Sequence, residues 1–163
     1  MNKMTEPTPL EELKQRYNEL KVKYKLPEFT ELNQLFDIED IDPETEFLIK
    51  KIRRAMSEKI GNYLRFIDIL LNPSNAPIFF FKLVKKLDRD DREIIGNIYE
   101  TLGNLEIQIV SMDLDYSEEK EAEFIKNLHQ TFNNQIKKDF LKIIEKLNSD
   151  EDNSKRVNGS YLG

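Results

Sequence analysis

The 163-residue chain contains no cysteine, a single histidine, five glycines and six prolines. Without cysteine there can be no disulfide, thiolate metal site, Fe–S cluster or cysteine nucleophile. One histidine, His129, excludes multi-histidine metal centres and most hydrolase triads. No apolar run approaches the roughly 18–20 residues of a membrane span. The opening stretch Met1-Asn2-Lys3-Met4-Thr5-Glu6-Pro7-Thr8 lacks the apolar core of a secretory signal. Together these absences predict a cytoplasmic protein with no membrane partner, no cofactor and no metal.

What is abundant is charge. Acidic side chains number 31 against 25 basic ones, and 34% of the chain is charged. Little Gly and Pro beside much Lys, Glu, Leu and Ile points to helices, and the length suits one domain. We expect that domain over residues 1–148, followed by a polar tail over 149–163.

Hydrophobic spacing supplies the elements. Thr8-Pro9-Leu10-Glu11 has the makings of a helix start, with a Thr cap, Pro at the first position and Glu three residues after the cap. Leu10, Leu13, Tyr17, Leu20 and Tyr24 then hold one face until Pro27. Phe29, Leu32, Leu35 and Phe36 predict a short second helix. A long third one is expected from Asp42-Pro43 through Leu71, carrying Leu48, Ile52, Met56, Ile60, Tyr63, Ile67 and Leu70 on one side. Asn72-Pro73-Ser74-Asn75-Ala76-Pro77 breaks the chain. Ile78-Phe79-Phe80-Phe81 fits a buried strand or helix by period; a short helix is favoured, its large side chains expected in the core at a bundle end, with an exposed hydrophobic docking site as the alternative. Ile95, Ile98, Leu102, Leu105, Ile109 and Met112 form a heptad seam, facing either neighbouring helices or a second copy. The last helix runs from Ser117 through Leu147. The expected fold is all-α, an antiparallel bundle of four long amphipathic helices plus two short ones.

Charge is unevenly spread. Residues 1–49 carry 6 basic and 12 acidic side chains, residues 50–92 carry 11 and 5, and residues 93–163 carry 8 and 14. The central excess of cations contains Lys50, Lys51, Arg53, Arg54, Arg65, Lys82, Lys85, Lys86 and Arg89, named here as candidate partner-binding residues. On a helix of 100° per residue, Lys50, Arg54 and Arg65 lie away from Leu48, Met56 and Ile67 and form a solvent-facing stripe. Such a stripe suits an acidic protein partner or a nucleic-acid backbone.

Catalytic constellations are not evident. Lys126, a repelling cation, stands three residues before His129, where a helical metal site needs Glu. Glu118, Glu119 and Glu121 would serve a carboxylate–metal hydrolase only with a second acidic pair on another helix; they are expected to stabilise a helix N-terminus instead. No Gly-rich phosphate loop occurs. The expectation is a non-enzymatic module for protein–protein interaction or self-association through a basic helix face, with nucleic-acid binding by the 50–92 segment as the alternative.

Overall fold

The structure, a computed structural model, describes residues 5–149, with Asn75 described by its backbone alone. Among these residues all regular structure is helical: α1 (Pro9–Tyr24), α2 (Phe29–Phe36), α3 (Leu48–Leu71), α4 (Ile78–Val84), α5 (Arg89–Leu114), α6 (Glu118–Thr131) and α7 (Lys137–Leu147). A 3-10 turn lies at Pro73–Asn75, and a π turn at Phe132–Ile136 joins α6 to α7 without a break. The class is all-α, with four long helical runs and two short helices. From residue 150 onward the expected polar tail lies outside the described residues.

Helix starts follow local chemistry where polar side chains can close them. At α1 the Glu11 amide donates to Thr8 Oγ1 at 3.2 Å and the Thr8 amide donates to Glu11 Oε2 at 2.9 Å. This reciprocal box satisfies two amides that a helix leaves without partners. An equivalent box of two aspartates opens α5: the Asp91 amide donates to Asp88 Oδ1 and the Asp88 amide to Asp91 Oδ2, both at 2.9 Å.

The start of α3 departs from the expected position. The helix begins at Leu48 rather than at Asp42-Pro43, and residues 42–47 form turns. Asp42 Oδ1 accepts the Glu44 amide at 2.9 Å, and the Asp42 carbonyl accepts the Thr45 amide at 3.2 Å. Arg16 on α1 donates to the carbonyls of Pro43 and Thr45. It thereby takes acceptors that the first turn of a helix would have used.

The π turn has its own cause in the spacing. Leu128, Phe132, Ile136 and Phe140 recur every four residues, which on an ordinary helix drifts by about 40° per step. Here the Lys137 amide reaches the Phe132 carbonyl five residues back. The wider turn absorbs the drift, so Phe132 and Ile136 both stay buried.

The chain divides into two compact units, each with helical segments around its own core. The first comprises Met1–Lys59 and Gln108–Gln130. Its core includes Leu13, Tyr17, Leu32, Phe36, Ile52 and Ile125, all at 1% exposure or less. Tyr17 packs edge-on against Phe29 at 5.5 Å and donates its hydroxyl to the Pro27 carbonyl at 2.5 Å. Burial, reinforced by Glu28 and Glu31, pushes that hydroxyl's pKa well up.

The second unit comprises Ile60–Ile107 and Thr131–Gly163. Tyr63, Phe66, Phe132 and Phe140 form a ring cluster in it, with centroid separations of 5.4 to 6.0 Å. Lys146 on α7 pairs with Asp88 at 2.8 Å and with Asp91. The hydrogen bond from Lys146 is the main reason the Asp88 carboxyl titrates at about 2. Lys86 donates to the carbonyls of Leu147 and Ser149 at 2.9 and 2.6 Å, closing the end of α7.

Two further expectations meet the structure here. All six seam residues of α5 are at 7% exposure or less within the chain, so the seam is used internally rather than as a dimer face. The aromatic stretch of α4 is not core: Ile78, Phe79 and Phe81 are 78%, 63% and 42% exposed, and no residue of that helix is fully buried.

Candidate interaction surface

The nine candidate cations are divided between the two units. Lys50, Lys51, Arg53 and Arg54 belong to the first unit, while Arg65, Lys82, Lys85, Lys86 and Arg89 belong to the second. Arg53 is no surface residue at all. It is 1% exposed, sharing the inner side of α3 with Ile49, Ile52 and Met56. Its Nε donates to Glu121 Oε2 at 2.6 Å and its Nη2 to Glu121 Oε1 at 3.0 Å, a fork-on-fork pair. Asp113 Oδ1 accepts a further bond at 2.7 Å. Burial opposes the guanidinium charge, but bonds to Glu121 and Asp113 outweigh it and raise the pKa. Glu121 is itself 0% exposed, so it stands in the core rather than at a solvated helix start.

The other three cations of that group stay outside the core, near two aromatic rings. Phe47, in the turn just before α3, is 50% exposed, and Tyr116, in the turn between α5 and α6, is 37% exposed. Their rings meet edge to face at 5.5 Å, and Lys50 Nζ lies 5.2 Å from the Tyr116 centroid. Lys51 and Arg54 are exposed, and with Lys50 and Phe47 they line an open cleft of about 140 Å³. Phe47 also borders a second cleft of about 270 Å³, lined by Arg16, Leu20, Lys23, Tyr116 and Glu118 among others.

Arg16, Lys23 and Glu118 of the larger cleft are already engaged. Arg16 holds the Pro43 and Thr45 carbonyls. Glu118 Oε1 accepts the Tyr24 hydroxyl at 2.6 Å and Lys23 Nζ at 3.2 Å. The Tyr24 bond is the main cause of the lowered Glu118 pKa and of the raised Tyr24 pKa. Burial, then the nearby carboxylates, raises the Tyr116 pKa. At neutral pH Glu118 is therefore ionised, and Tyr24 and Tyr116 are protonated.

The remaining sequence candidates fall elsewhere. His129 is 15% exposed, with Nε2 3.9 Å from Glu31. Glu119 accepts the Ser117 hydroxyl at 3.1 Å. Among the described residues no group of three or more His, Asp or Glu side chains is placed to hold a metal ion. Arg65 donates to Asn62, and Lys82, Lys85 and Arg89 are exposed.

Sequence reasoning passed over Phe47 and Tyr116. Their signal was local: Phe47 follows Glu46 and Tyr116 stands between Asp115 and Ser117, both off any apolar stripe. Such a ring has no assigned core position. No protein-family model, curated protein or solved structure matches this chain.

Proposed function

We propose that the protein is a non-enzymatic interaction module that binds an acidic segment of a protein partner through Phe47, Tyr116, Lys50, Lys51 and Arg54. The observation that carries this is the half-exposed Phe47–Tyr116 pair beside three cations. Aromatic anchors in a cleft with a charged rim match the anatomy of energetically dominant interface residues. The cations draw an acidic segment in and fix its register, while the rings supply the apolar contact.

A nucleic-acid partner fits less well. Glu46 and Glu118 border the same clefts and repel phosphates, and Arg53, the cation nearest the middle of the run, is neutralised by Glu121 and Asp113. The experiment is affinity capture from nuclease-treated lysate, comparing the natural chain with Phe47→Ala/Tyr116→Ala and Lys51→Glu/Arg54→Glu. We expect polypeptides retained by the natural chain to fall at least about tenfold with either variant, as for loss of a strong interface anchor. Equal retention by all three proteins overturns the proposal. Binding that vanishes with nuclease, and weakens steeply with salt, transfers the surface to nucleic acid.

A further inference from the structure

Between Asp68 and Asp88 the chain has no acidic residue, although 31 of its 163 residues are acidic. This stretch contains α4 (Ile78–Val84), whose first turn faces water with Ile78 78% and Phe79 63% exposed, followed by Phe81 at 42%. At 100° per residue, Ile78, Phe79, Phe81, Lys82 and Lys85 fall on one side of the helix axis, and Phe80, Leu83 and Val84 on the other. Burial follows that division: the first five residues are exposed and the other three half-buried. The exposed side is therefore apolar at its start and cationic at its end, and neither Lys82 nor Lys85 pairs with a carboxylate among the described residues.

The helix is presented rather than loosely attached. Pro73 and Pro77 bracket the 3-10 turn that leads into it, and just past its end Lys86 is bonded to the Leu147 and Ser149 carbonyls. An apolar side held out in this way marks a contact site.

We infer that α4 attaches the protein to an anionic lipid surface, with Ile78, Phe79 and Phe81 entering the boundary between headgroups and acyl chains. Lys82 and Lys85 lay their stems beside these rings and place their ammonium groups among lipid phosphates. No helix among the described residues is long and apolar enough to cross a membrane, and attachment of this kind needs no crossing. Other occupants fit the patch less well. Three apolar side chains and two lysines fall far short of the about 20–30 residues a side of a stable protein interface. A symmetric pairing of two copies through α4 would contribute only these same three apolar side chains and two lysines from each copy. A nucleic acid would leave Ile78 and Phe79 unused.

The chain has no tryptophan, so Phe79→Trp introduces a lone indole at the proposed point of insertion. The full-length variant is mixed with phosphatidylcholine vesicles, with and without phosphatidylserine. We expect a blue shift of emission and co-sedimentation that require phosphatidylserine and weaken with salt. Ile78→Ser/Phe79→Ser should lower vesicle affinity at least about tenfold, and each of Lys82→Glu and Lys85→Glu by roughly fivefold or more. These side chains are exposed, so unchanged thermal melting checks that the variants fold. Absence of vesicle binding overturns the inference, as does binding that Ile78→Ser/Phe79→Ser leaves intact. A dimer in sedimentation velocity that the same double variant splits would assign the patch to self-association instead.

Discussion

In the first unit the largest fully buried side chain is Arg53, while in the second the rings of Tyr63, Phe66, Phe132 and Phe140 pack on one another and the ion pairs lie at the helix ends. A buried guanidinium is tolerable only because Glu121 answers it with both carboxylate oxygens and Asp113 with a third bond. Its stability depends on a complete set of partners, and no single member can be lost cheaply. The aromatic cluster needs only volume and shape, so it should lose stability in proportion to what is removed.

The sharpest way to break this contrast is Glu121→Ala, which leaves Arg53 charged and buried with only the half-exposed Asp113. We expect a loss of about 3–5 kcal/mol in denaturant unfolding. Arg53→Leu/Glu121→Leu should be several-fold less damaging, because both desolvated charges leave together. A double variant as unstable as the single one would show that packing, not charge, dominates the site.

Phe132→Ala tests the other unit. It removes a ring that is 6% exposed and should cost about 3 kcal/mol, with no rescue from any change of charge nearby. A cost below about 1 kcal/mol would mean that the π turn relaxes to an ordinary helical turn and closes the gap.

The smallest effect concerns Asp88, where Asn keeps the capping oxygen and loses only the charge. The folded-state value of about 2 lies below the ordinary 3.8, so ionised Asp88 stabilises the fold above about pH 4. That contribution fades as pH falls through about 2. Asp88→Asn should therefore melt slightly lower than the natural chain at neutral pH and coincide with it near the acid limit. A gap independent of pH would assign the effect to the cap rather than to Lys146.

Residue by residue, the legible parts were those set by short-range chemistry. Thr8, Pro9 and Glu11 specify the start of α1, and Ile95 to Met112 specify the buried side of α5, because hydrogen-bond geometry and helical period act within a few residues. Arg53 was placed with the surface cations, yet it lies beside Ile52 and four residues after Ile49, both buried. Position alone leaves it at the edge of the apolar side; the carboxylate that draws it inward stands 68 residues away. The start of α3 was misplaced for a similar reason, since Asp42-Pro43 carries a sound local signal and only Arg16, 27 residues earlier, removes the acceptor it needs.

By itself the sequence determined an all-helical chain, most helix boundaries and the steps of four at Leu128, Phe132, Ile136 and Phe140 that the π turn absorbs. Each of these follows from period and capping along a single segment. Tertiary structure decided which cations are buried, which rings face water and which turns bring Phe47 beside Tyr116. Those outcomes depend on partners distant in the chain. For Arg53 and Arg16 the free energy of satisfying a charge or a carbonyl outweighs local preference; for Phe79, exposure follows because no neighbour among the described residues covers that side of α4.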